Sequence, residues 1–228
     1  ATGAAWEPVT PSGWLVEDTL SARISPQLGL AALVGALRAQ RVEVRVGAAD
    51  EVGAVVHATG VAGLADLSAF VGRTVGAGVK GQALALRHEA CDLPQLFVDG
   101  LHIVPHVDGT VAIGSTSEPV WHEDGPDAQL DGLLTRAVAA VPVLAGAEVV
   151  ARWAGVRPRA ASRAPVLGEW PGRAGHYVAN GGFKIGFGMA PKVAEVMADL
   201  VLDGRDAVPE AFSVVALLSK GVARDGAL

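Results

Sequence analysis

At 228 residues the chain is long enough to bury a substantial core, as one large or two small domains. Half of it is hydrophobic and its mean hydropathy is +0.37, yet no uninterrupted apolar run approaches the roughly 20 residues a membrane span needs. The formal net charge of -6 offers no basic stripe for nucleic acid, and Cys91 as the single cysteine excludes a disulfide framework and a cysteine-rich metal site, so a reducing cytoplasm is the default compartment.

In chain order, the opening "ATGAAWEPVTPSGW" has neither a basic flank nor an apolar core and does not read as a secretory signal. "SPQLGLAALVGALRAQ" begins with a Ser cap and a first-turn Pro and carries Leu30, Leu33, Val34 and Leu37 on one face, which predicts a helix. "VEVRV" (42–46) reads as a short strand, and "AVVHATG" (54–60) as a buried strand ending in a small-residue turn. "VKGQALAL", "LHIVPHVDGTVAIGSTSE" and "AEVVARWAGVRPR" read as further strands, with Asp108 and Gly109 turning a hairpin. "DAQLDGLLTRAVAAV" predicts a second helix. The last helix has Pro191 in its first turn, an apolar face of Val193, Val196, Met197, Leu200 and Val201, and Gly204 as its stop. Four glycines, Gly181, Gly182, Gly186 and Gly188, stand ahead of it as a loop of bare backbone. Amide groups there, beside the positive end of a helix dipole, suit a phosphate or an electron-rich ring; a tight packing loop is the alternative. The pattern is mixed α/β, with much antiparallel sheet.

Other patterns carry less. "GAGVKG" (76–81) matches G-x-G-x-x-G, but strand-like "QALAL" follows where a dinucleotide site needs a helix, so it reads as a strand entry. His102 and His106 have helical ligand spacing in a segment whose proline and β-branched pair oppose a helix. His57, His88, His122 and His176 are scattered singly along the sequence, and no metal site is expected. No G-x-S-x-G elbow occurs.

Five pieces stand in a telling order: "VVHATG", "VKGQ", "LHIVPHVDGTVAIGSTSE", "WAGVRPRAASRAPVLG" and the glycine-rich helix entrance. In this order and spacing the chain resembles the FAD-dependent D-amino-acid oxidase and glycine oxidase family, from about Trp14 to Arg205. The resemblance implies FAD as cofactor. It places Ala58, Thr59 and Gly60 close to the flavin, and Gly182, Phe183, Lys184, Ile185, Gly186 and Phe187 along the pyrimidine edge of the ring. Helix-entrance amides there stabilise the negative charge that reduction puts on N1 and the C2 carbonyl. Arg157, in the G-x-R-P context, is the implied clamp for a substrate carboxylate, since a guanidinium matches a carboxylate bidentately. Arg159 and Arg163 compete for that role. His102 stands where relatives often carry a substrate-facing tyrosine. The implied chemistry is oxidation of an amino acid or amine, at a CH–NH or CH–NH2 group, by hydride transfer to flavin N5.

The resemblance also implies a division of the chain. Residues 1–46 join the two domains, 47–74 hold the flavin-domain strand and its connection, 75–156 form the antiparallel substrate-binding sheet, 157–205 return to flavin binding, and 206–228 form a tail. The family's opening strand, glycine turn and helix for the ADP half of FAD have no counterpart in this sequence. Three arrangements fit: a piece of a longer chain, a subunit whose partner chain supplies the nucleotide-binding fold, and a remnant without catalysis. A non-catalytic subunit binding a small carboxylate is therefore the alternative function. The partner expected in either case is a small molecule, with neither nucleic acid nor a membrane span involved.

Overall fold

The computed structural model describes residues 4–219. In chain order it contains α1 (Pro26–Ala39), β1 (Val55–His57), α2 (Gly60–Val71), β2 (Gly76–Arg87), β3 (Leu96–Val98), β4 (Leu101–Pro105), β5 (Thr110–Gly114), α3 (Gln129–Ala140), β6 (Val149–Ala160), β7 (Val166–Glu169), β8 (His176–Asn180), α4 (Gly186–Asp203) and α5 (Val214–Ser219). This is the mixed α/β class, with a five-stranded sheet ordered β3-β4-β5-β2-β6 and a three-stranded sheet ordered β1-β8-β7. The chain divides into two compact units. One combines the chain up to Val44 with Lys80–Gly155, the other Arg45–Val79 with the chain from Val156 onward.

The first unit is built on the antiparallel hairpin of β4 and β5, in which Ile103 pairs with Ile113. Alternation places Leu101, Ile103, Val111 and Ile113 on one face, where they meet Leu84 and Leu86 of β2. Leu130, Leu133 and Ala137, at helical spacing on α3, close this core. The hairpin turns where the sequence predicts it, with Gly109 at φ +73°. Beside the core, buried Lys80 meets Glu118 at 3.7 Å and Asp127 at 3.0 Å, and the Gln82 amide donates to Glu118 at 3.1 Å. A buried ammonium is tolerable only with such partners.

In the second unit β1 runs parallel to β8, and β7 runs antiparallel to it. Neighbouring residues of β7 point to opposite faces. Val166 joins Leu67 of α2, Val178 of β8 and Val214 and Leu217 of α5, whereas Leu167 joins Val196, Met197 and Leu200 of α4. Helices therefore cover both faces of this small sheet. Gly204 ends α4 in the left-handed conformation (φ +65°), as its position in the sequence predicts.

Several expectations need correction. "VEVRV" is not a strand: among the described residues no strand pairs with it, and Val42, Val44 and Val46 are exposed. The strand in "AVVHATG" is only three residues long and half-buried, with Val56 44% exposed, and the turn after it is the start of α2, a helix the sequence reading omitted. The "GAGVKG" stretch opens β2, as the strand-entry reading expects, and is not a phosphate loop. Helix α1 forms with Ser25 as its cap, its side chain accepting from the Leu28 N–H, yet none of its residues is buried. Helix α4 begins five residues before Pro191, which puts the proline inside the helix and makes Gly186 and Gly188 helical. His57 and His176, far apart in sequence, lie 3.1 Å apart between Nε2 and Nδ1. No helix among the described residues is long and apolar enough to cross a membrane.

Candidate functional site

The glycine-rich entrance to α4 lines a cleft of about 240 Å³ within the second unit. The first turns of α4 present Gly186, Met189, Ala190 and Val193 to it, and the ends of β1 and β8 contribute Ala58, Ala179, Asn180, Gly181 and Gly182. Pro158, Pro165 and Leu167 complete an apolar wall, and Gly60 stands at the start of α2. Among the described residues no charged side chain lines the cleft.

The loop into α4 is shaped by its own backbone. Gly181 has φ +74° and Phe183 φ +44°; the Phe183 N–H donates to the Pro158 carbonyl at 3.2 Å, and the Ile185 N–H to Gly182 at 2.9 Å. A Cβ on Gly182 would come within 3.0 Å of the Gly186 Cα, so this glycine is needed for backbone approach. A Cβ on Gly186 would meet nothing within 4 Å. That position opens into the cleft and is not filled by protein. No side chain caps α4 and no acidic residue sits in its first turn. The amides of Gly186, Phe187 and Gly188 precede the first helical bond, from the Met189 N–H to the Ile185 carbonyl at 3.0 Å.

Asn180 fastens two sides of the cleft. Its Nδ2 donates to the Gly60 carbonyl at 2.8 Å, and its Oδ1 accepts from the Gly181 N–H at 2.7 Å. Sequence reasoning passed over Asn180, although an amide side chain directly before a Gly-Gly pair at a strand end is a local signal for such a clasp.

Of the residues singled out from the sequence, Ala58, Gly60, Gly182 and Gly186 meet in this cleft, whereas Thr59, Phe183, Lys184, Ile185 and Phe187 are not among its lining residues. Thr59 is the N-cap position of α2, without a side-chain bond to that helix. Two cations stand near the Phe183 ring, with Lys184 Nζ 5.6 Å and the Arg159 guanidinium carbon 6.0 Å from its centre. Arg157 is half-buried in the last third of β6, in the same unit as the cleft. Arg163 is exposed in the turn after β6, at φ +61°. His102 belongs to the first unit, exposed on β4 with its ring centre 4.7 Å from that of Phe97.

A second hollow, lined by Arg23, Ser25, Leu28 and His106 among others, lies in the first unit. Its one strong donor, Arg23, already serves the carbonyls of Cys91, Leu93 and Pro105.

Residues 17–200 match the family described as FAD dependent oxidoreductase (DAO). The chain belongs to that family. It is 34% identical over 125 residues to a glycine oxidase of Pseudomonas putida, covering 54% of this chain and 34% of that protein. To a glycine oxidase of Geobacillus kaustophilus it is 38% identical over 153 residues, covering 65% and 40%. The crystal structure of glycine oxidase from Geobacillus kaustophilus superposes with a TM-score of 0.63 at 36% identity, over 71% of this chain and 45% of that one. Iminodiacetate oxidase from Chelativorans sp. BNC1 gives 0.65 at 25% identity, over 73% and 47%. The matches to curated relatives thus span about a third of those proteins' length.

The cleft fits the cofactor that the family's description names. Its walls are small, apolar residues and bare backbone, which suit the edge of a flat ring. The space in front of Gly186 is one that a side chain would fill. The absence of a basic lining residue fits the ring better than the diphosphate.

Proposed function

We propose that this chain binds FAD through the cleft at the start of α4 and takes part in oxidising a small amino acid or secondary amine, in the manner of a glycine oxidase. The observation that carries the reading is the cleft itself, where the ends of β1 and β8 meet an uncapped helix entrance held open by Gly186. When bound, FAD supplies the acceptor for a hydride from the substrate α-carbon. The chain's own residues do the rest. The first-turn amides of α4 lie beside the cleft with the positive end of the helix dipole and favour negative charge there. The apolar wall of Pro158, Pro165 and Leu167 excludes water from the ring edge. Asn180 keeps the two sides of the cleft in register before anything binds. Arg157 holds the substrate carboxylate, and His102 influences which substrate is accepted. In this reading residues 47–74 and 157–205 serve flavin binding and 75–156 serve the substrate. A reducing cytoplasm is its setting, in keeping with Cys91 as the single cysteine.

Purified protein supplied with FAD is expected to acquire flavin absorption approaching one cofactor per chain. Arg157→Ala is expected to weaken binding of a small carboxylate by about one to two orders of magnitude, the worth of one charge-assisted pair, and to leave flavin content unchanged. Arg157→Lys should recover part of the loss, because an ammonium keeps the charge without the planar fork. A protein that stays colourless with added FAD while still binding carboxylates would support a non-catalytic subunit. Unchanged carboxylate affinity in Arg157→Ala, with reduced stability, would make Arg157 a structural residue.

A further inference from the structure

A second constellation of chemistry-bearing side chains lies away from the cleft. One ligand-type atom from each of Glu51, His57 and His176 falls within 4.8 Å of the other two, and His57 Nε2 is 3.1 Å from His176 Nδ1. None of the three lines the flavin cleft. From this geometry we propose that Glu51, His57 and His176 form a binding site for one divalent transition-metal ion, of which zinc is the best-fitting class.

The two imidazoles are held by the sheet. In the parallel register of β1 and β8, Val55 pairs with His176 and His57 with Val178. Side chains two residues apart in a strand share a face, so both rings project from the same side. The turn from Trp170 to His176 is tied by backbone bonds: the Trp170 N–H donates to the His176 carbonyl at 2.7 Å, and the His176 N–H to Arg173 at 3.2 Å. The same turn sets Trp170 against the His57 ring, with centres 4.8 Å apart, and brings Arg173 to the Glu51 carboxylate at 2.5 Å. Packing thus fixes one imidazole, and an ion pair orients the carboxylate.

The donor set is chemically coherent. Two imidazole nitrogens and a carboxylate oxygen suit zinc and its neighbours, and three protein ligands leave one position for water. With bonds of about 2.0–2.2 Å, ligand atoms around a tetrahedral ion lie about 3.3–3.6 Å apart. The imidazole pair is already near that spacing, and exposed Glu51 has only to close by about an ångström. Arg173 can keep one carboxylate oxygen while the other ligates, as outer-shell partners commonly do. The ion would tie the irregular segment before β1 to β1 and β8. Metal-free, the ring pair shares one hydrogen bond and Glu51 pairs with Arg173; that arrangement accounts for the same contacts without an ion, and the titration separates the two.

Tag-free protein titrated with zinc chloride by calorimetry is expected to take up one ion per chain. His57→Ala and His176→Ala should each weaken zinc binding at least tenfold, while His122→Ala leaves it unchanged. Glu51 is exposed, so Glu51→Gln keeps the fold even if a histidine variant does not, and it too is expected to weaken binding several-fold. No saturable binding near one ion per chain would overturn the site, as would unchanged affinity in Glu51→Gln or in the double histidine variant. None of these readouts involves flavin, so the outcome is independent of the proposed cofactor function.

Discussion

Asn180 uses both ends of its amide, one on Gly60 and one on Gly181, and so joins the start of α2 to the loop before α4. Asn180→Ala would strand a carbonyl and an N–H at once, and a loss of about 1–3 kcal/mol in denaturant-measured stability is expected, with weaker FAD binding alongside it. A different residue-scale effect comes from the carboxylates around Lys80. Asp127 is held well below its ordinary value of 3.8 by hydrogen bonds from Gln82, the Gln129 backbone and Lys80. For Glu118, burial works against the charge, but hydrogen bonds from Thr116, Gln82 and Gln129 together with the Lys80 ammonium outweigh it and bring the carboxyl below 4.5. Because both folded-state values are lowered, their stabilisation is complete above the ordinary carboxylate range and is lost as pH falls through the lowered values. Acid titration of unfolding stability should show this loss below about pH 4.5, and Glu118→Gln should flatten it while costing stability at neutral pH.

At the scale of elements, α4 shows what local sequence can and cannot specify. Its apolar stripe of Val196, Met197 and Leu200 and its stop at Gly204 are written in residue spacing and are found in the structure. Its start is misread, because a first-turn proline is the common pattern and two glycines suggest a loop, whereas the loop bonds at Phe183 and Ile185 let the helix begin at Gly186. Pro191 therefore withholds an N–H from the Phe187 carbonyl. Pro191→Ala should restore that bond and raise the unfolding free energy by roughly 1 kcal/mol, measurable in urea. The β4–β5 hairpin was legible from alternation and its Asp-Gly turn. Strand β1 is visible as an apolar run but its parallel pairing with β8 is not, and "VEVRV" alternates like a strand although only a neighbour could make it one. Helix α2 is not legible because its residues are small and weakly patterned: of its 12 residues only Gly63, Leu64 and Leu67 are buried.

At the scale of the whole chain, two units each close on a core of their own, and the candidate flavin cleft and the Glu51, His57 and His176 cluster both belong to the second. The glycines of the cleft were legible because bare backbone at a helix entrance is a local signal. Its wall of Pro158, Pro165 and Leu167 was not, since those residues are ordinary until β6 and β7 bring them there. Likewise, 119 residues separate His57 from His176, and only sheet register joins them. The central claim is that the space in front of Gly186 receives the cofactor, and one comparison tests it most directly: FAD titrated into the wild-type protein and into Gly186→Leu, with the melting temperature of each measured without FAD. Because a Cβ at Gly186 meets open space, the variant is expected to lose at least tenfold in FAD affinity, about 1.4 kcal/mol, while its flavin-free melting temperature moves by no more than about 2–4 °C. Equal FAD affinity in the two proteins, or no saturable binding by the wild type, would contradict the account.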